Sequence, residues 1–188
     1  MTKHKANLLD ELYSHSPTCS CGCQTGQSID DALSQLDQGQ CVKLALSYPQ
    51  SCAEVWQIFL TEHACYPGIA FKDLRPGGSI QFSYNREDQE SFMLMDYEPA
   101  KTLSFAWLDG AILTFDWIPI EVGKACLLQI DYWYPEFKET MIADMYRWYQ
   151  AMRQLQAKLS HDTFETDPLE EALFREHILR EVQNLKSN

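Results

Sequence analysis

Three cysteines alternate near the start of the chain, Cys19-Ser-Cys-Gly-Cys23, with His15 four residues upstream. Thiolates and imidazole are the ligand types of tetrahedral zinc, and soft copper(I) accepts thiolates readily. Adjacent Cys-x-Cys pairs are tighter than the usual spacing of a structural zinc site. Cys41 or Cys52 would complete a set of ligands if this arm folds back. The competing readings are thiol exchange, or exposed and oxidisable thiols with no ligand and no cofactor.

A second set of chemistry-bearing residues lies further along. Asp96, Asp116 and Asp131 sit in stretches rich in large apolar side chains. Two of them facing an enclosed cavity would be desolvated, and burial favours the protonated carboxyl, making a general acid or a polar anchor for a ligand. Strand alternation places them equally well in solvent or at strand rims. His63, just after a helical segment, has the residue type of a base at a cavity mouth, and equally that of an exposed helix-end histidine. Cys52, Cys65 and Cys126 have no histidine at a telling spacing, so a catalytic thiol is not indicated. Arg75-Pro-Gly-Gly78 leads into a strand, whereas a phosphate cradle presents its amides at a helix start.

These residues need elements to position them. The chain has 188 residues, enough for one compact domain with terminal additions. A 45% hydrophobic fraction with five Trp, nine Tyr and nine Phe supports a sizeable core. Fifteen Lys plus Arg against 27 Asp plus Glu give a formal charge of -12, which argues against nucleic acid or an anionic membrane as partner. No apolar run reaches the roughly 20 residues of a membrane span. Asp10 and Glu11 interrupt any leader after Leu8-Leu9. A cytoplasmic location is the expectation, and with it reduced thiols; the seven cysteines cannot all pair within the chain.

Three zones follow: a Cys-containing arm over 1–40, a main domain over 41–160 and an acidic tail helix over 161–188. In the arm, Ser28 can cap a short helix from Ile29 to Leu36. In the main domain, Val42–Tyr48 alternates as a strand, and Ser51 can cap a helix over Ala53–Thr61. A meander of about six antiparallel strands follows, punctuated by Arg75–Gly78, Asn85–Asp88, Glu98-Pro99, Asp109-Gly110 and Glu121–Gly123. Asp109-Gly110 between two apolar runs is the strongest hairpin signal. The last strand, Lys124–Tyr134, runs into a long helix expected from about Glu136 to Ser160. Its stripe of Met141, Met145, Trp148, Met152, Leu155 and Leu159 contains no ionisable group, so chemistry would have to come from the sheet opposite. Plausible inward residues are Phe92 and Leu94; Leu103, Phe105 and Trp107; Leu113, Phe115 and Trp117; and Leu128, Ile130, Tyr132 and Tyr134. The opposite phase carries Met93, Met95, Asp116, Asp131 and Trp133, and both phases remain open. Asp167-Pro168 starts the tail helix, whose Leu169, Leu173, Phe174, Ile178, Val182 and Leu185 must pack on the sheet's outer face, on a protein partner or on a second copy.

Residues 41–160 carry a resemblance. Ser51-Cys-Ala-Glu-Val-Trp56, Arg75-Pro-Gly-Gly78, Asp96-Tyr-Glu-Pro99 with Leu103-Phe-Ala-Trp107, and Trp148-Tyr-Gln-Ala-Met152-Arg-Gln-Leu155 are similar to motifs of the AHSA-like family, activators of the ninety-kilodalton heat-shock protein's ATPase. That family lies within the START-like (SRPBCC) helix-grip superfamily. The resemblance implies an α+β helix grip, a curved antiparallel sheet wrapped around a long C-terminal helix, often with a hydrophobic cavity. It also implies binding of apolar molecules, small-enzyme chemistry or chaperone partnership. Where family members commonly carry an aromatic after the first helix, this chain offers Tyr66 and Pro67. The cavity would be lined by Phe92, Leu94, Phe105, Trp107, Phe115, Trp117, Ile130 and Tyr132 from the sheet and Met141, Met145, Trp148 and Met152 from the helix. The functional expectation is a noncatalytic domain binding a small hydrophobic ligand or a protein partner. Its alternatives are a cavity enzyme using Asp116, Asp131 or His63, and a metal- or redox-responsive adaptor working through His15, Cys19, Cys21 and Cys23.

Overall fold

A computed structural model describes residues 39–85, 87–121 and 123–186. The Cys19–Cys23 cluster, His15 and the helix expected at Ile29–Leu36 lie outside the described residues. The elements run β1 (Gln40–Tyr48), α1 (Cys52–Thr61), β2 (Ile69–Asp73), β3 (Ser79–Ser83), β4 (Gln89–Glu98), β5 (Thr102–Ala106), β6 (Ile112–Glu121), β7 (Ala125–Tyr134), α2 (Thr140–Ser160) and α3 (Pro168–Lys186). Ser51 caps α1 in a full capping box: its hydroxyl accepts from the Glu54 amide, and the Glu54 carboxylate accepts from the Ser51 amide.

The strands form one antiparallel sheet in the order β1-β7-β6-β5-β4-β3-β2. The meander is thus closed on one side by the N-terminal strand, paired from Gln40↔Tyr134 to Tyr48↔Cys126. Bulges between Phe71 and Asp73, Leu94 and Asp96, and Pro119 and Glu121 add local twist and help the sheet curve. The Arg75–Gly78 turn docks on the bulge in β4, where the Gly77 amide donates to the Leu94 carbonyl at 2.8 Å. Glycine is required at 78, because a β-carbon there would meet the Asp73 carbonyl oxygen at 2.0 Å. Asp109 and Gly110 both take positive φ, as a tight hairpin demands, but they sit inside a wider β5–β6 loop containing a short 3₁₀ turn.

The alternation resolves cleanly. On β7, Cys126, Leu128, Ile130, Tyr132 and Tyr134 are buried on the inner face, and Leu113, Phe115 and Trp117 of β6 lie beside them. α1 and α2 cover this face together: Trp56 packs edge-on to Trp117 at 4.7 Å between ring centroids, and Phe59 lies 5.4 Å from Phe115. This is a curved antiparallel sheet gripping a long C-terminal helix, with an added tail helix. α2 starts at Thr140, four residues later than the periodicity suggested. Phe137 instead packs on Tyr134, and Lys138 pairs with Asp109 at 2.7 Å. The left-handed residue His161 ends α2 (φ 58°).

α3 does not lie on the sheet's outer face. It packs through Ile178 and Val182, which are buried, and through Phe174, whose ring lies 5.3 Å from Tyr146 and 5.2 Å from Tyr149 of α2. Its other neighbour is the β1 edge. The physical reason is that α2 is apolar beyond its inward stripe: Ile142 and Tyr146 are buried too, and α3 covers them. Leu169, Leu173 and Leu185 remain exposed.

Candidate functional site

The inward stripe of α2 contains a carboxylate. Asp144 stands three residues after Met141 and four before Trp148, on the buried side of the helix, with 8% of its surface exposed. A buried carboxylate is costly unless donors surround it. Asp144 has three. Its Oδ1 accepts from the Tyr66 hydroxyl at 2.5 Å, and its Oδ2 accepts from the Trp107 indole at 2.8 Å and the Tyr132 hydroxyl at 2.9 Å. These donors come from the segment after α1, the residue following β5 and the C-terminal end of β7, so one side chain ties the helix to three separate stretches of the chain.

Burial, and after it the charge of Asp144, push the Tyr66 and Tyr132 hydroxyls far above the ordinary phenol range; the Arg147 guanidinium beside Tyr66 pulls only weakly the other way. Both phenols therefore stay protonated as donors, and neither serves as a base near neutral pH. Tyr66 reaches this position through an unusual turn. His63, Ala64 and Cys65 have φ of 49°, 60° and 53°, three consecutive left-handed residues without a glycine. Each costs of order 1–2 kcal/mol relative to right-handed backbone. The turn swings the chain so that Tyr66 lies under α2, its ring 4.2 Å from that of Trp148.

Trp148 is the centre of the aromatic cluster, with Phe115 at 5.1 Å, Trp107 at 5.5 Å and Phe105 at 6.2 Å. Its indole N–H is buried and has no acceptor. Every side chain expected to line a cavity is buried: Phe92 and Leu94; Phe105 and Trp107; Phe115 and Trp117; Ile130 and Tyr132; and Met141, Met145, Trp148 and Met152. They pack on one another as a dense cluster. Beside the cluster, at its Tyr66 end, a cleft of about 340 Å³ opens between Tyr66, Pro67 and Phe82 on one wall and Arg147, Gln150, Ala151 and Gln154 of α2 on the other, with Cys65 and Phe164 completing its lining. This volume is at the lower end of the range that holds small ligands.

The acid–base candidates are placed elsewhere. Asp116 and Asp131 lie on the face of the sheet opposite α2, Asp116 across from Thr102 and Gln129, and Asp131 across from Lys43 and Thr114. Asp131 accepts from Lys43 and from the Gln129 amide, each at 2.7 Å. Asp96 follows the β4 bulge and pairs with Ser104. His63 is exposed in the left-handed turn, its ring 6.3 Å from Phe71. Asp116 and Asp131 are thus diagonal neighbours on the outer face, both beside Lys43, and neither they nor the exposed His63 meet the inner cluster. The carboxylate that does face inward is Asp144, which a stripe read as Met, Trp and Leu leaves out. The helical spacing 141–144–148 was the signal that could have found it. Among the described residues, no group of three or more His, Cys, Asp or Glu is placed to hold a metal ion.

Comparison with known proteins agrees at the level of architecture. No protein-family model matches the chain, and no curated protein matches it. Solved structures do. A conserved protein of unknown function from Enterococcus faecalis superposes with a TM-score of 0.63 at 18% identity, over 79% of this chain and 88% of that one. A Bordetella parapertussis protein gives 0.58 at 15% identity, over 73% and 84%. CalU16 from Micromonospora echinospora gives 0.55 at 20% identity, over 74% and 83%. The fold is a helix grip. At such identities the likeness speaks for fold alone. No described helix is long and apolar enough to cross a membrane.

Proposed function

We propose that this chain is a noncatalytic binding domain that takes up a small, largely apolar molecule through the cleft beside Tyr66. The observation that carries this reading is the cleft itself, a hollow whose wall is the outermost ring of the buried aromatic cluster. The nearby chemistry favours binding over turnover. Burial pushes the Cys65 thiol up to about 11, leaving roughly one thiolate in ten thousand at pH 7. Both oxygens of Asp144 already accept hydrogen bonds, and the phenols around it are held as donors. No residue of the site speaks for a chaperone partner, a reading that rests on the resemblance alone.

Native mass spectrometry of gently purified protein tests the proposal together with Gln154→Trp, which fills the cleft from its half-exposed wall. The expected result is a co-purifying small molecule, or uptake of an added apolar probe, weakened about tenfold or more by Gln154→Trp at unchanged melting temperature. Uptake that ignores Gln154→Trp would sink the reading.

A further inference from the structure

We infer that the cleft selects an aromatic anion, whose ring lies against Tyr66, Phe82 and Phe164 and whose carboxylate or equivalent group pairs with Arg147. This rests on the proposal that the cleft binds a small molecule and adds the class of that molecule.

The charge pattern carries the inference. The chain has 27 acidic against 15 basic residues, yet Arg147 is the one charged side chain among the described residues lining the cleft, and no carboxylate accompanies it. Most other described cations are paired, among them Lys43 with Asp131, Arg75 with Asp73, Lys138 with Asp109, Arg153 with Glu170, Lys158 with Glu62 and Arg175 with Glu139, while Lys72 and Lys124, neither of them in the cleft, form no ion pair among the described residues. Arg147 has no such partner among the described residues. Its neighbour is the Tyr66 hydroxyl, and that hydroxyl's proton is committed to Asp144. A guanidinium has five N–H donors in a planar fork, so one contact with a phenol oxygen leaves most of them available to a carboxylate.

Geometry adds an orientation. Arg147, Gln150, Ala151 and Gln154 recur at helical spacing along one side of α2, so the cation, two amides and a methyl share a single wall. The methyl of Ala151 leaves room for a ring, and the amides can donate or accept beside the anion. Asp144 holds the Tyr66 hydroxyl from the buried side of α2, and its negative charge disfavours an anion pushed inward past that hydroxyl. The negative end therefore stays at the rim with Arg147, and the ring points towards the aromatic floor.

Two probes of nearly the same skeleton separate the parts of this claim: 1-anilinonaphthalene-8-sulfonate, an aromatic anion, and N-phenyl-1-naphthylamine, its neutral counterpart. The wild type is expected to bind the sulfonate about tenfold more tightly, and Arg147→Met to lower that affinity about tenfold more than it lowers affinity for the amine. Because Arg147 is exposed, Arg147→Met should melt as the wild type does. Should it fold poorly, Gln154→Glu keeps the arginine and sets a carboxylate beside it, and it too should weaken the sulfonate selectively. Equal affinities for both probes, unmoved by either variant, would overturn anion selection while leaving an apolar cleft in place. Binding of both probes that survives Gln154→Trp would overturn the cleft itself, and with it the underlying reading.

Discussion

Asp144 works as a buried anchor whose value depends on all three donors arriving together. Replacing it by Asn keeps one acceptor oxygen but sets an amide N–H₂ against hydroxyl and indole donors, so Asp144→Asn should cost about 2–4 kcal/mol, read from urea unfolding. A cost below about 0.5 kcal/mol would mean that the network is incidental. The same cluster sets a pH dependence. Folding raises the Tyr66 and Tyr132 hydroxyls above their unfolded values, so the stability they confer is complete below about pH 10 and declines as the pH rises beyond it. In Asp144→Asn that decline should be shallower, because the carboxylate's charge is one of its causes. At this scale the sequence was only partly readable. Asp144 could have been found from its place between Met141 and Trp148. The convergence of Tyr66, Trp107 and Tyr132 could not, since it depends on strand register and on a left-handed turn that no residue type announces. Asp116 and Asp131 were ambiguous for another reason: with Met93, Met95 and Trp133 on the same phase, both faces of the sheet carried large apolar groups.

Among the elements, the segment joining α1 to β2 is the unusual one. Three non-glycine residues in left-handed conformation precede the ring that forms the cleft wall. His63 is the exposed member, and glycine adopts its backbone conformation without the steric penalty. His63→Gly should therefore raise stability by about 0.5–1 kcal/mol in urea denaturation. A loss would show that the contact of its ring with Phe71 outweighs backbone relief. The regular elements were far more legible than this turn. The capped α1, the six strands of the meander and the amphipathic α2 each follow from local signals that tertiary contacts reinforce. The tail helix was legible as a helix but not in its docking. Its apolar side matched several surfaces, and the choice was made by Ile142 and Tyr146 on the outward flank of α2.

For the whole molecule, a charge of -12 surrounds a single unpaired arginine in the cleft. At a distance the protein repels the anion that its cleft would hold. Salt shortens that repulsion from a reach of about 30 Å at 0.01 M to about 8 Å at 0.15 M. The association rate of 1-anilinonaphthalene-8-sulfonate should therefore rise about twofold over this range in stopped-flow fluorescence, while that of the neutral amine stays level. A rate that falls with salt would point to net attraction and to a different entry path. The order of the sheet has a consequence of another kind. β2 to β7 pair with their neighbours in sequence and can zip up one hairpin after another, but β1 pairs only with β7, from Gln40↔Tyr134 to Tyr48↔Cys126. On the ribosome, the first strand made must wait until the last has emerged, and loop closure over so long a span is slow. The sheet's final strand is its oldest, and until it docks, the long edge of β7 is open to any other chain that offers a strand.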